Sequence, residues 1–272
     1  MARGSFGQAC LLKKDRASGV HAHAGPHIML QIEGADHEYW VGSESVPLTR
    51  HSAVLVNQHV LHGNRALGAG HSIVLMLYLA ADWAQQHHHS ALPGTPLFTA
   101  RTLRLWPELR QHADALAAQM YRATDVEDAA VQDRCVELIQ AILDLQPGDG
   151  ASRRGVDKLS DFRIRRAIAL MRENMEEPLS ADQLSQLVGL SRSRFFELFV
   201  ACTGLSPKQY CKMLRLEFAR NRLASGSEPI ADISRQCGFG AQSHFSHFFA
   251  GQLGITPSEF RRAGNPVCAR AA

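Results

Sequence analysis

No stretch of the sequence is apolar over the roughly 18–20 residues that a membrane-spanning helix needs. The first residues, M-A-R-G-S-F-G, lack the apolar core of a secretion signal. The cysteines show no C-x-x-C spacing, and several fall at predicted helical core positions, where cysteine packs as a small hydrophobe. These absences favour the reducing cytoplasm over a membrane or a disulfide-bonded secreted protein. The six cysteines are Cys10, Cys135, Cys202, Cys211, Cys237 and Cys268.

Charge is divided unequally along the chain. Its 272 residues, 45% of them apolar, supply enough material for two hydrophobic cores. Residues 153–272 contain 18 Lys and Arg against 11 Asp and Glu, a formal charge of +7, whereas residues 1–152 carry a formal charge of −4. Basic charge concentrated in one half predicts a polyanion partner, because contacts with phosphates release counterions.

Two segments of the basic half, 184–210 and 233–260, repeat one pattern. Gly189 matches Gly238 at an offset of 49, and the aromatic, glycine and proline positions that follow match at an offset of 50. Each copy predicts a short helix, a glycine turn, a second helix and a glycine stop, which is the layout of a helix-turn-helix. Two copies in register outweigh the alternative that these are ordinary polar faces of a helical bundle.

Each copy is expected to turn an apolar face inward and a polar face outward. In the first copy Leu184, Leu187 and Val188 form the stripe of the first helix, and Ser191 is placed to cap the second. The inward positions of the second helices are Phe195, Leu198, Phe199 and Cys202, and then Phe245, Phe248, Phe249 and Leu253. The outward positions are Arg192, Ser193, Arg194, Phe196 and Glu197, and then Gln242, Ser243, His244, Ser246 and His247.

Residues 162–262 resemble the DNA-binding domain of the AraC/XylS family of bacterial transcription regulators. G-F-x-x-Q-S-H-F-S-H-F-F and G-I-T-P-S-E-F-R-R at 254–262 are similar to its second motif and tail. R-L-E-F-A-R-N-R-L at 215–223 is similar to the long helix that links its two motifs. The resemblance implies that both second helices enter successive major-groove segments of promoter DNA, that RNA polymerase is a further partner, and that activation is favoured over repression.

The outward side chains are expected to divide between contacts with phosphates and contacts with bases. Arg192 and Arg194 are expected to contact DNA phosphates. Gln, Ser and His side chains hydrogen-bond base edges, a phenyl ring contacts a thymine methyl, and Glu accepts from cytosine N4. The expected base-reading residues are Ser193, Phe196, Glu197, Gln242, Ser243, His244, Ser246 and His247.

The acidic half predicts a different architecture. Between residues 10 and about 80, stretches such as H-I-M-L-Q-I-E and S-I-V-L-M-L-Y-L have strand-like lengths and are separated by Gly, Pro and polar turns, which predicts a small barrel or sandwich. Residues 103–121 and 127–145 then show helical periodicity, and the second carries a seven-residue apolar seam. This helical pair either packs against the barrel or forms a homodimer interface, and the two can coexist on different faces.

Four histidines of the acidic half resemble the motifs of the cupin barrel. His21, His23 and Gly34 match its first motif, His27 stands where cupins have glutamate, and His62 resembles the lone histidine of the second motif. Four imidazoles can hold zinc, copper or nickel. The missing acid favours an effector pocket without a metal or other cofactor, which takes an anionic or polar small molecule. The histidines at 87–89 are expected to be a solvated polar run.

We therefore predict a cytoplasmic, effector-responsive transcription regulator of two domains that is not an enzyme. Residues 1–146 form a cupin-like β-barrel with a helical pair, 147–160 a linker, and 161–263 an all-α domain with helix-turn-helix motifs at about 181–202 and 230–253, joined by a long helix. One alternative is a metal-dependent cupin enzyme with an accessory helical domain, which a glutamate at position 27 would favour. Another is an architectural DNA-binding protein without an effector, whose N-terminal domain only dimerises.

Overall fold

A computed structural model describes residues 1–68, 70–87, 96–123, 125, 127–145 and 161–264. The expected linker at 147–160, the histidines at 88 and 89, and Cys268 lie outside these ranges. None of the described helices is long and apolar enough to cross a membrane. Five of the six cysteines are described, and all five are free thiols.

The N-terminal part folds into two antiparallel sheets. One has the order β1 (Ala2–Gly4), β2 (Gly7–Lys14), β9 (Ser72–Leu79), β4 (His27–Gly34), β7 (Ser52–Val56) and β10 (Thr102–Arg104). The other has the order β3 (Ser18–His21), β8 (His62–Ala66), β5 (His37–Val41) and β6 (Glu44–Leu48). The inner faces of the two sheets share one apolar cluster, so the predicted β-rich domain is present.

The six-stranded sheet is buried on both of its faces. Along β9, Leu75 and Leu77 pack with the helices outside the sheet, while Val74, Met76 and Tyr78 face the second sheet. Every residue of this strand is buried. A strand covered on both sides has no polar face to alternate with, which explains its continuous apolar run.

Three helices cover the outer face of that sheet: α1 (Ala81–His87), α2 (Pro107–Arg122) and α3 (Ala129–Asp144). The predicted seam of α3 is buried in the chain's own core at Val131, Cys135, Leu138 and Ile142. Leu145, the last position of the seam, is 43% exposed. The seam therefore packs within the chain, and a dimer through these helices must use their other faces.

The C-terminal part is entirely helical in its described residues. Its helices are α4 (Phe162–Glu173), α5 (Ala181–Leu187), α6 (Arg192–Thr203), α7 (Pro207–Ser225), α8 (Ile230–Gln236), α9 (Gln242–Leu253) and α10 (Pro257–Gly264). We call α5 with α6 the first helix pair, and α8 with α9 the second helix pair. The long α7 joins the two pairs.

The backbone of the two helix pairs repeats as closely as the sequence does. The glycines after the first helices, Gly189 and Gly238, have φ of 70° and 74°, and those that end the second helices, Gly204 and Gly254, have φ of 74° and 75°. Left-handed φ is costly for residues with a Cβ, so glycine is required at these four positions. Gly189 precedes α6 by three positions and Gly238 precedes α9 by four, which places the change of offset in the second turn.

The predicted inward faces are confirmed with one correction. Phe195, Phe199, Phe245 and Phe249 are fully buried. Leu187, expected in the inward stripe of α5, is 47% exposed. The inward face of this short helix is instead formed by Leu184, Ser185 and Val188, and the buried hydroxyl of Ser185 is satisfied because it donates to the carbonyl of Asp182 at 2.8 Å. The buried serine lies between Leu184 and Val188 on the inward face, and Leu187 therefore lies outside that face.

The helical part packs closely on the β-rich part. Near the end of α9, a Cβ added to Gly19 of β3 would lie 2.7 Å from the carbonyl oxygen of Gly251. A Cβ added to Gly254 would lie 2.8 Å from the carbonyl oxygen of Arg16. Real Cβ atoms essentially never approach backbone this closely, so glycine is needed for the two parts to meet here.

Candidate nucleic-acid interface and buried histidine cluster

The N-terminal half of α6 presents an exposed face away from its buried phenylalanines. The Ser191 hydroxyl caps this helix by accepting from the backbone N–H of Arg194, as predicted. Arg192 pairs with Asp182 at 3.3 Å and Arg194 with Glu197 at 3.5 Å, in both cases between well-exposed side chains. Exposed ion pairs of this kind contribute little to stability, so both guanidinium groups can exchange their partners for phosphates.

The remaining expected readers of α6 share this surface. Ser193 and Glu197 are exposed, and the Phe196 side chain is 50% exposed. A phenyl ring held in water carries a hydrophobic cost that contact with an apolar partner would remove. The structure therefore brings all five outward residues of the first helix pair onto one solvent-facing surface.

In the second helix pair, the exposed face of α9 carries polar side chains and no Lys, Arg, Asp or Glu. Gln242, Ser243, His244 and His247 are exposed on α9, whereas Ser246 is only partly exposed, beside the buried phenylalanine face. Ser246 is thus the least accessible of the expected readers. The helix begins without a side-chain cap, because Ala241 stands where Ser191 stands in the first copy.

The four sequence-predicted histidines converge inside the β-rich part, where they form what we call the histidine cluster: His21, His23, His27 and His62. Their ring centroids are separated by 4.3 to 5.3 Å in the five contacting pairs. Each residue is buried.

The alternation of side chains along a strand predicts that His21 and His23 lie on the same face of one strand, and the structure corrects this expectation. His21 and His23 do not lie on one strand, because β3 ends at His21 and β4 begins only at His27, after Gly25 and Pro26. His23 comes from the connection between these strands. His21 pairs directly with His62 across β3 and β8.

Hydrogen bonds orient two rings of the histidine cluster. Nδ1 of His21 lies 2.7 Å from the carbonyl oxygen of Gly19, and Nδ1 of His62 lies 3.0 Å from that of Val60. A carbonyl oxygen only accepts, so Nδ1 carries the proton in both rings and Nε2 offers a lone pair. Nε2 of His27 lies 3.1 Å from Nε2 of His62 and is therefore its donor.

The cluster is electrically neutral in its resting form. Burial, followed by the neighbouring histidines, lowers the pKa of His21, His23 and His27 well below the usual range. Burial also lowers the pKa of His62 to about 4. Desolvation penalises the charged form of each imidazole, so all four are uncharged at neutral pH.

A buried arginine from α7 reaches the row of residues that ends in the cluster. Gln8, Tyr78 and His27 are neighbours across β2, β9 and β4. The Arg220 guanidinium donates to Oε1 of Gln8 at 3.0 Å, and its central carbon lies 3.4 Å from the Tyr78 ring centroid. The Tyr78 ring in turn lies 5.2 Å from that of His23 and 5.6 Å from that of His27.

Sequence reasoning missed this contact. Arg220 lies in a segment with Arg215 and Arg222, and no local pattern separates the buried arginine from its neighbours. Tyr78 lies one residue before the end of an apolar strand and is typical of a core position. Only the docking of α7 on the β-rich part shows that Arg220 is 4% exposed and joined to the histidine cluster through Tyr78.

Known proteins match both parts of the chain. Residues 184–263, from the middle of α5 into α10, match a family described as a helix-turn-helix domain. LumQ of Photobacterium leiognathi, a probable transcriptional regulator, is 23% identical over 258 residues, covering 91% of this chain and 93% of LumQ. RhaS of Citrobacter koseri, a transcriptional activator, is 29% identical over 156 residues, covering 56% of this chain and 54% of RhaS.

The fold as a whole is similar to that of ToxT from Vibrio cholerae. An apo ToxT structure has a TM-score of 0.65 at 15% sequence identity, covering 96% of this chain and 98% of ToxT. A second ToxT structure, with an unsaturated fatty acid bound, has a TM-score of 0.62 at 14% identity and covers 97% of each chain. The likeness shows the same two-part fold, with a β-rich N-terminal part and a helical C-terminal part.

These findings decide between the classes of protein left open by the sequence. The similar proteins are transcription regulators and not enzymes, which removes the alternative of a metal-dependent cupin enzyme. The helix-turn-helix match covers the repeat whose glycines and exposed faces are described above. The chain is a DNA-binding transcription regulator whose helix-turn-helix domain is similar to that of the AraC/XylS family.

Proposed function

We propose that both helix pairs read promoter DNA and that the β-rich part is a cupin-like sensor whose ligand controls this reading. The observation that carries the proposal is the buried position of Arg220, which we call the Arg220 seat. This side chain belongs to α7, which joins the two helix pairs, and it is buried against Gln8 and Tyr78 of the β-rich part. A ligand that moves Tyr78 therefore acts directly on the helix that sets the spacing of the two pairs.

The double reading is supported by the exposed faces of α6 and α9. A helix-turn-helix regulator places its second helix in the major groove, and two such helices on one chain take successive groove segments. The face of α6, with its two arginines, suits phosphate contacts, and the face of α9, which has no Lys, Arg, Asp or Glu, suits hydrogen bonds to base edges. The first helix pair then supplies more of the affinity, and the second more of the sequence preference.

Sensing is supported by the composition of the histidine cluster. Burying polar groups costs free energy unless they are paired, and the cluster concentrates four imidazoles beside the Arg220 seat. Such an arrangement is retained at sites where a ligand binds more often than in a core made only for packing. ToxT, which shares the fold, holds a small molecule in one of its structures.

Activation is the proposed outcome of DNA binding, with RNA polymerase as the further partner. RhaS, an activator, matches just over half of this chain. We place the protein in the cytoplasm, where promoter DNA is found. A homodimer formed through α2 and α3 would use faces other than the buried seam, and Tyr121, 62% exposed on α2, lies on such a face.

Replacing a reading side chain tests the DNA interface. Gln242→Ala or His247→Ala is expected to weaken binding to the preferred site by about 1–3 kcal/mol and to relax preference at one or two base pairs, because one base-edge contact is lost. Selection of sites from a random DNA library, followed by titration with the full-length protein, measures both effects.

The matched controls for this experiment are Gln111→Ala and His112→Ala, which make the same chemical changes at exposed positions of α2. Both controls should bind with unchanged affinity and preference. A loss of affinity in the α9 variants without any change of preferred sequence would mean that α9 does not read bases.

Removing the Arg220 charge tests the link between the two parts. Arg220→Gln is expected to change affinity for the preferred site by about fivefold or more, because the cation–π contact and the charged hydrogen bond that seat α7 are lost. Amide hydrogen exchange in β2 and β9 should rise in the same variant. Arg222→Gln removes the same charge from an exposed position of α7 and is the control. Equal behaviour of the two variants would show that the Arg220 seat does not govern DNA binding.

A further inference from the structure

The two helix pairs have separate apolar cores, and α7 contributes to both. Met213 and Leu214, from the N-terminal half of α7, lie in the core around the first helix pair. Ala219 and Leu223, from the C-terminal half, lie in the core around the second helix pair. The long helix thus carries one pair at each end. A direct contact between the pairs would limit how far each can tilt about its own attachment to this helix.

Such a contact lies at the turn of the second helix pair. A Cβ added to Gly238 would lie 2.6 Å from the carbonyl oxygen of Met175 and 2.9 Å from that of Glu176. Both residues belong to the connection between α4 and α5, and Met175 packs against the core around the first helix pair. Met175 therefore joins the core of one pair to the turn of the other. We call the approach of Gly238 to the carbonyls of Met175 and Glu176 the inter-pair contact.

Comparison of the two repeats shows that this contact is not a requirement of the helix-turn-helix itself. Gly189 holds the matching position in the first helix pair, with φ of 70° against 74° for Gly238. This left-handed conformation favours glycine at both positions. A Cβ added to Gly189, however, would meet no atom of the described residues within 4 Å. Gly238 therefore lacks a side chain for two reasons, and Gly189 for only one.

Two arginines lie beside the inter-pair contact. Nη1 of Arg235, on α8, donates to Oε1 of Glu176 at 2.5 Å. The central guanidinium carbon of Arg215, on α7, lies 5.2 Å from the ring centroid of Phe239, which follows Gly238 in the turn. The ion pair joins two well-exposed side chains and contributes little to stability. The close packing of backbone on backbone is therefore the main determinant of how the two pairs meet.

We propose that the inter-pair contact fixes the distance and the angle between α6 and α9, and that the number of base pairs between the sequences they read is therefore a determinant of specificity. Gly238 and Met175 are positioning residues in this scheme, because neither lies on the exposed face of α6 or α9. The inference rests on the proposed double reading and adds a requirement for one spacing.

The geometry of duplex DNA makes the spacing a sensitive quantity. One inserted base pair moves the second sequence by about 3.4 Å along the axis and rotates it by about 35°, since a turn contains about 10–10.5 base pairs. Reading helices that can tilt follow such a change at little cost. Helices held in one orientation must bend or twist the DNA instead, which weakens binding. A regulator with fixed helices therefore prefers one spacing over its neighbours.

The test uses the full-length protein and the DNA site that it selects from a random library. Variants of this site carry one or two base pairs more or fewer between the sequences read by α6 and α9, and the affinity for each gives a spacing profile. We expect the unmodified protein to bind about tenfold or more weakly when the spacing changes by one base pair. Gly238→Ala should reduce this loss to about threefold or less, because the added methyl group separates the turn from the carbonyl of Met175.

Gly189→Ala is the matched control, because it places alanine at nearly the same φ without a close contact among the described residues. Its overall affinity should fall, but its spacing profile should remain that of the unmodified protein. Met175→Ala provides a second measurement if Gly238→Ala does not fold, and it should flatten the profile in the same way. Its control is Leu179→Ala, which shortens another side chain of the same connection that packs against the same core. Far-ultraviolet circular dichroism shows which variants are folded.

Equal spacing profiles within either variant and its control, or equal affinity of the unmodified protein for every spacing, would overturn the inference. Base reading itself is tested separately, by Gln242→Ala on the preferred site. A protein that loses base preference through Gln242→Ala but tolerates every spacing would retain the proposed function and lack the spacing requirement.

Discussion

Raising the salt concentration from 50 to 200 mM should weaken DNA binding by about a thousandfold if about six phosphates are contacted. The expectation rests on the charge of the helical half and on the exposed guanidinium groups of Arg192 and Arg194, whose ion pairs are weak enough to exchange. Titration of labelled duplexes with the full-length protein across this salt range gives the slope of log affinity against log salt concentration.

Replacement of one arginine separates phosphate contacts from base contacts in the same measurement. Arg192→Ala or Arg194→Ala should weaken binding to all sequences alike and reduce the salt slope by about one. Arg122→Ala, at an exposed position of α2, is the control and should leave the slope unchanged. Affinity that does not depend on the salt concentration would show that neither helix pair contacts DNA phosphates.

Phe249→Ala should lower the free energy of unfolding by about 3–5 kcal/mol, because it leaves a cavity in a small aromatic core. Phe249 is fully buried, with its ring centroid 5.9 Å from that of Phe245 and 5.6 Å from that of Phe260. Chemical denaturation followed by circular dichroism measures the change.

The matched control is Phe196→Ala, which removes the same atoms from a side chain that is 50% exposed. It should change stability by no more than about 0.5 kcal/mol, as surface substitutions usually do. If Phe196 contacts a thymine methyl, the control will instead lose preference for one base pair. Equal destabilisation by both substitutions would mean that the inward and outward faces have been assigned wrongly.

The sequence predicted those features of the fold that depend on local patterns. The glycine turns, the Ser191 cap and the buried phenylalanines repeat at fixed spacing, and each is determined by the conformation or periodicity of a few neighbouring residues. The central helix, α7, was expected from its likeness to the family's linking helix. The strand at 72–79 was expected from its apolar run, although its burial on both faces was not.

The features that sequence reasoning missed depend on distant contacts. Leu187 is exposed because Ser185 takes its place on the inward face, a choice set by how α5 packs. His23 reaches the histidine cluster from a connection and not from a strand. The burial of Arg220 depends on Gln8, more than two hundred positions earlier in the chain. A pattern among a few neighbouring residues cannot show a contact between residues that are so far apart in the sequence.

The glycine contacts between the β-rich part and α9 limit how such regulators can be recombined. Exchanging the N-terminal part of this chain for that of a relative is an obvious route to a regulator with a new input. A donor with a side chain at the position of Gly19 would collide with the carbonyl of Gly251, push the end of α9 outward and tilt its exposed face, and Gly254 must remain without a side chain to lie against the carbonyl of Arg16. A functional chimera therefore has to carry small residues at both sides of this contact. An N-terminal part can be combined only with a helical part that matches it there.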